Sequence, residues 1–186
     1  MGVNNVTILG GGVLGTQIAL QAAYYGFNVT IWLRSEGSIE RTKPKIARYS
    51  ELMLADLEGE KALVGNPMGG FLYPRGLIRS WDGITVEKID ELIATGRERF
   101  ANNLTIEIDL AKAVADADIA VEAMSEDPKA KTEFYELLKD KLPEKTILCT
   151  NSSTLLPSMF AEHTGRPEKY CALHFANTIW KTTRAK

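Results

Sequence analysis

The apolar positions of this chain change period repeatedly. Residues 6–9 form a short apolar run bounded by glycines; Leu14, Ile18, Ala22 and Tyr25 then recur at helical spacing until Gly26 ends the pattern; residues 29–33 are apolar again. The reading is strand, glycine turn, helix, strand. Further apolar runs predict strands at 104–108, 119–123, 146–149 and 170–174, with helices between them. The clearest helix is 129–141, where Ala130, Phe134, Leu137, Leu138 and Lys141 share one face and Pro128 can open the first turn. Alternation of this kind predicts a doubly wound α/β domain with a mainly parallel sheet covered by helices on both faces.

The middle of the chain interrupts the pattern. Residues 38–57 read as a polar helix, and residues 86–100 as an amphipathic one through Ile89, Leu92, Ile93 and Phe100. Between them, residues 65–83 carry Pro67, Pro74 and five glycines, which predicts a long loop or hairpin. An insertion of about 58–100 after the second strand is therefore expected. Phe71, Tyr73, Arg75, Arg79 and Trp81 in this stretch suit either contact with a large substrate or a solvated loop anchored by a few aromatics. No internal repeat or low-complexity segment is visible.

Composition narrows the classes of partner. With 45% hydrophobic and 25% charged residues, 186 residues suit one globular domain. Lys plus Arg total 22 against 24 for Asp plus Glu, a net charge of −2, so nothing draws the chain to nucleic acid. No apolar run approaches the roughly 20 residues of a membrane-spanning helix, and the N-terminus carries no basic leader, so no membrane partner and a cytoplasmic location are expected. Cys149 and Cys171 both fall in predicted strands without metal-ligand spacing nearby, which reads as two reduced, buried thiols and no metal site.

Gly10, Gly12 and Gly15 form G-x-G-x-x-G between the first predicted strand and helix, the placement that defines a Rossmann dinucleotide-binding turn. Gly10 serves the tight turn, Gly12 lets backbone approach a pyrophosphate, and Gly15 permits close helix packing. Val13 and Leu14 open a helix whose free N–H groups favour phosphate. At the end of the second strand, where an NAD-selective site carries Asp or Glu, the chain reads Leu33, Arg34, Ser35. A guanidinium there suits the 2′-phosphate of NADP, so NAD(P) is the expected cofactor with NADP favoured over NAD. The alternative is that Arg34 faces solvent and adenosine binds with little discrimination.

Three further runs, DLAKAVADADIAVEAMSED at 109–127, TILCTNSSTL at 146–155 and GRPEKYCALHFAN at 165–177, make the sequence similar to the NAD-binding domain of the 3-hydroxyacyl-CoA dehydrogenases. The resemblance covers the glycine turn and the C-terminal part and leaves the middle unmatched. It implies that Glu126 and Lys131 line the cofactor, that Ser153 contacts substrate and nicotinamide, that His174 is the catalytic histidine, and that Asn177 is a further cofactor contact. Asn151, in the same run as Ser153, joins the implied cofactor set. Ser153 and His174 stand 21 positions apart, in agreement with the family spacing.

The residue chemistry points the same way. His174 ends a predicted strand at the edge where open α/β sheets bind ligands, and imidazole titrates near neutrality. A structural histidine is the alternative. His163 precedes Gly165 at the end of a short predicted helix, where the helix dipole accounts for it without catalysis. Ser152, Ser153 and Thr154 suit an N-cap, and both roles are compatible if Thr154 caps while Ser153 faces the substrate.

Two elements of the family pattern are missing. The resemblance implies a Glu twelve positions after the histidine and a helical substrate and dimerisation domain, whereas position 186 is Lys186 and the tail through Trp180 and Lys181 lacks a proline-rich pattern. The chain reads either as the N-terminal half of a longer protein or as a free-standing domain. Its expected activity is hydride transfer between NAD(P) and C3 of a 3-hydroxyacyl-CoA in fatty acid metabolism, with homo-oligomerisation through any apolar surface left by the missing domain. The competing readings are a non-catalytic nucleotide-binding module and an NADP-dependent dehydrogenase of a small hydroxy acid.

Overall fold

A computed structural model describes residues 2–73 and 75–181; Pro74 and the tail from 182, including Lys186, lie outside the described residues. Six strands, β1 (Asn5–Leu9), β2 (Asn28–Trp32), β3 (Leu104–Glu107), β4 (Ile119–Glu122), β5 (Ile147–Thr150) and β6 (Tyr170–Ala172), form one sheet in the order β3-β2-β1-β4-β5-β6. Every pairing is parallel. This is the Rossmann order, with its switch point between β1 and β4.

The helices are α1 (Val13–Tyr24), α2 (Glu36–Glu60), α3 (Gly69–Leu72), α4 (Val86–Asn102), α5 (Leu110–Val114) and α6 (Pro128–Leu138). One apolar core joins α1, α2 and α4 to the sheet through Ile8, Leu20, Ile31, Met53 and Ile89; a second core, with Leu9, Ala120, Phe134, Tyr135 and Leu138, packs α5 and α6 on the other face. Strand residues therefore alternate in allegiance, Ile8 to one core and Leu9 to the other, because successive side chains of a strand point to opposite faces.

The path from β2 to β3 runs through α2, which begins four residues after β2 and stays helical through Pro44, and then through α3 and α4. The glycine-rich stretch is a long loop, as expected, broken only by a short helix and anchored to the domain. It contains α3, buries Leu77 and Ile78, stacks Tyr73 on Trp81 at 4.8 Å, and leaves Phe71 77% exposed. Arg79 lies over the Tyr25 ring at 4.8 Å, which anchors the segment to the end of α1.

Three further expectations need correction. Leu137 is 54% exposed and Tyr135 takes its place in the core, because the buried face of α6 runs through Lys131, Phe134, Tyr135 and Leu138. Cys171 is exposed because β6 is an edge strand; its neighbour Cys149 is buried, with the two Sγ atoms 3.6 Å apart. His174 lies beyond β6, which ends at Ala172.

Candidate functional site

The site is assembled at the carboxyl ends of the strands. Gly10 turns the chain after β1 at φ 128°, and a Cβ there would stand 2.7 Å from the Ala123 carbonyl oxygen on the β4 side of the switch point. A Cβ on Gly15 would overlap the Gly10 carbonyl, so α1 can start this close to the turn only without a side chain. At Gly12 a Cβ would meet nothing nearer than Ala123 O at 4.0 Å, so this glycine borders open space. No side chain caps α1, and its first-turn N–H groups are free at that place.

Two adjoining cavities share Gly12, Ala123, Met124 and Ser125 and together make one cleft across the switch point. The cavity on the β2 side, about 340 Å³, is lined by Gly10, Leu33, Arg34, Ser38, Arg41 and Lys45 among others. The cavity on the β5 side, about 510 Å³, is lined by Val13, Leu14, Glu126, Asn151, Ser153 and Asn177 among others. A long ligand with an anionic middle over Gly12 fits this arrangement, which is the shape of a dinucleotide.

At the far end, Ser153 Oγ stands 2.9 Å from His174 Nε2. The two residues lie on separate loops, each held by a buried or braced neighbour. Asn151 accepts the Phe175 backbone N–H at 2.8 Å and so fixes the segment that carries His174. Glu126 accepts hydrogen bonds from the Ser152 hydroxyl, the Ser153 N–H at 3.1 Å and the Thr154 hydroxyl at 3.4 Å. Burial works to raise the Glu126 pKa, but these bonds and the Lys131 charge outweigh it and hold the carboxyl below its usual range.

Two residues depart from their expected places. Lys131 does not line the cleft: it is 1% exposed, and its Nζ lies 2.7 Å from both carboxylate oxygens of Glu122. A cation on the buried face of α6 is held there by a carboxylate at the end of β4, a pairing that spacing along the chain did not reveal. Thr154 is not a helix cap: its hydroxyl turns to Glu126, Ser152 Oγ accepts the Leu155 N–H, and the chain continues only into a short 3₁₀ turn at Pro157–Met159. His163 lies, as expected, in the last turn of a short 3₁₀ helix, Ala161–Thr164, and also pairs with Glu136 at 2.8 Å.

Sequence reasoning missed Ser38, Arg41, Thr42 and Lys45. They share one face of α2, at i, i+3, i+4 and i+7, and that spacing was the available signal. Position 186, where an orienting carboxylate was sought, lies outside the described residues. Among the described residues, no helix is long and apolar enough to cross a membrane.

Comparison with known proteins adds to the geometry. The sequence matches the family described as 3-hydroxyacyl-CoA dehydrogenase, NAD binding domain, over residues 5–64 and 82–183. It is 27% identical over 177 residues to the mitochondrial hydroxyacyl-coenzyme A dehydrogenase of Sus scrofa, covering 95% of this chain and 48% of that protein. It is 25% identical over 179 residues to the fatty acid oxidation complex subunit alpha of Idiomarina loihiensis, covering 96% and 20%. Among solved structures, a diketoreductase described by its substrate-directed dual catalysis of dicarbonyl compounds superposes with a TM-score of 0.71 and 34% identity, covering 100% of this chain and 54% of the other. The chain thus spans about half the length of the hydroxyacyl-CoA dehydrogenases it matches.

Proposed function

Because the chain belongs to the 3-hydroxyacyl-CoA dehydrogenase NAD-binding domain family, we propose that it holds NADP(H) across the switch-point cleft and supplies the proton-transfer pair for oxidoreduction at C3 of a 3-hydroxyacyl-CoA. The observation that carries this reading is the 2.9 Å contact between Ser153 Oγ and His174 Nε2 beside the β5-side cavity. When bound, the nicotinamide accepts or donates the hydride. The residues here manage the proton and the position of the substrate. His174 takes the hydroxyl proton as the C3 alcohol becomes a ketone and returns it in the reverse direction. Ser153 keeps the imidazole facing the reacting oxygen and offers that oxygen a hydrogen bond. Glu126 and Asn151 are positioning residues, since each fixes the loop that carries one member of the pair.

Specificity for NADP(H) rests on Arg34. It is exposed, lines the β2-side cavity and forms no hydrogen bond or ion pair among the described residues, so its guanidinium is available to a phosphate. A cytoplasmic location is part of the proposal, in keeping with two neighbouring thiols that are free.

A second reading has support of its own, the 34% identity to the diketoreductase. In it the same pair serves a free dicarbonyl compound or hydroxy acid. The carbonyl chemistry is unchanged, and only the group attached to the substrate differs.

Calorimetric titration with NADPH and NADH, repeated on Arg34→Asp, tests the cofactor assignment. NADPH binding that weakens on substitution while NADH binding improves supports it; absence of binding by either cofactor refutes it. Turnover of acetoacetyl-CoA against a free β-keto ester then decides between the two substrates.

A further inference from the structure

We infer that two cations on α2 divide the recognition of the cofactor's phosphates, Lys45 binding the pyrophosphate common to both cofactors and Arg41, beside Arg34, binding the 2′-phosphate. This rests on the NADP(H) reading above and assigns residues to it that the strand-end position alone does not indicate.

The β2-side cavity is lined by three cations, Arg34, Arg41 and Lys45, and by no carboxylate. None of the three forms a salt bridge among the described residues, whereas Lys61, Lys131, Lys139 and Lys145 all do. Like charges gathered around one cavity without a counter-charge favour an anion there.

Lys45 reaches over the glycine turn. Its Nζ donates to Gly11 O at 3.3 Å and to Arg41 O at 2.9 Å. An ammonium has three N–H donors, so one is left for a ligand. Thr42 Oγ1 donates to the same Gly11 oxygen at 3.2 Å, so this part of α2 is fastened to the turn. The ammonium therefore stands one residue from Gly12, where the backbone is open and α1 presents its unpaired N–H groups. A 5′-pyrophosphate seated there meets Lys45 whether or not the ribose carries a phosphate.

Arg41 lies one turn nearer the start of α2. Its Nη2 donates to Ser38 Oγ at 3.0 Å, and that oxygen lies 3.0 Å from Ser35 Oγ, next in the chain to Arg34. Two guanidiniums and the Ser38 hydroxyl thus border the space beyond β2, where the 2′ substituent of the adenosine ribose is expected. A guanidinium can grip a phosphate through two parallel N–H bonds, and a hydroxyl can join it as a donor.

Calorimetry with ADP-ribose, 2′-phospho-ADP-ribose, NADH and NADPH, which all carry the pyrophosphate, separates the roles, with melting temperatures to confirm that each variant is folded. Lys45→Gln should weaken all four ligands by about tenfold, and Lys45→Arg should restore most of that loss, as expected for one charge-assisted bond. Arg41→Gln should weaken 2′-phospho-ADP-ribose and NADPH by about tenfold and leave ADP-ribose and NADH within about twofold. A uniform loss in Arg41→Gln, or a loss confined to the 2′-phosphorylated ligands in Lys45→Gln, overturns the division. An unsubstituted chain that binds ADP-ribose and 2′-phospho-ADP-ribose equally overturns the NADP(H) reading itself. An unsubstituted chain that prefers 2′-phospho-ADP-ribose while Arg41→Gln changes nothing overturns only the role of Arg41.

Discussion

At the scale of single residues, the most constrained group is Glu122. It is fully buried at the end of β4 and accepts hydrogen bonds from Lys131 Nζ, the Tyr135 hydroxyl at 2.9 Å, the Thr150 hydroxyl at 2.7 Å and the Met124 N–H at 2.6 Å. Removing its charge strands the Lys131 ammonium in the core, so Glu122→Leu should cost about 3–5 kcal/mol in urea unfolding, and adding Lys131→Met should recover most of it. A single variant as stable as the parent would contradict this account. Burial, and then the neighbouring Glu122 charge, push the Tyr135 pKa far above its usual value, so Tyr135 keeps its proton and donates to Glu122 throughout the working range. Burial and the adjacent Cys171 thiol push Cys149 up to about 12. Cys149 should therefore resist alkylation at pH 8 in the folded chain and react once urea is added, which mass spectrometry after iodoacetamide would show. In the proposed reaction, His174→Gln should lower turnover by about 10²–10⁴-fold and leave NADPH affinity within about twofold.

At the scale of elements, two ties between distant segments matter most. Asp118 directly precedes β4 and ties its start to β1: its carboxylate accepts from Lys145 at 2.6 Å and from the backbone N–H groups of Asn4 and Asn5 at 2.9 Å each. Those bonds, the Lys145 one foremost, hold its pKa well below the usual carboxylate range. A depressed folded-state pKa stabilises above the unfolded value near 4, and that stability is lost as pH falls through the range below it. Glu126 and Glu136 are shifted in the same direction. Melting temperature should therefore drop below about pH 4, and Asp118→Asn should flatten that limb; an unchanged slope would rule Asp118 out as a contributor. The second tie is the 3₁₀ turn Ile179–Lys181, which returns across the domain. Trp180 is 1% exposed and donates its indole N–H to Asp56 on α2, Lys181 pairs with Asp56 at 2.9 Å, and Gln17 on α1 accepts the Thr178 N–H. Trp180→Ala should cost about 3–5 kcal/mol, read by chemical denaturation.

At the scale of the whole molecule, the cleft exists because of strand order. With β4 beside β1, the chain leaves the sheet in opposite directions on the two sides of the switch point, and Gly10 and Ala123 line a gap that no connection crosses. The long excursion between β2 and β3 then brings α2 back over the glycine turn, which turns an open groove into a cavity with cations on one wall. A ligand held only by the folded chain must stabilise it: NADPH at about 100 times its dissociation constant should add about 2.7 kcal/mol. A scanning fluorimetry series with NADPH and NADH reads this directly, and equal shifts would contradict the preference argued from Arg34.

All six strands were legible in the sequence to within two residues, because short apolar, β-branched runs set between segments of helical period have few other uses in a chain of this composition. The G-x-G-x-x-G turn was legible too, since its glycines answer to local backbone geometry. Ser153 and His174 were singled out in the sequence as residue types in a familiar pattern; that their side chains meet at 2.9 Å depends on Asn151 and Glu126 drawing two loops together. Lys131 was misplaced because its partner Glu122 lies across a buried helix–strand contact that charge spacing does not encode. Arg41 and Lys45 went unnoticed because they stand 31 and 35 positions from Gly10, and only the packing of α2 on the turn brings them to the cleft. Local periodicity and turn chemistry are written residue by residue and survive in the sequence alone. Which face of a helix is buried, which strand lies at an edge and which charges converge are set by packing between distant segments, and those the tertiary structure decided.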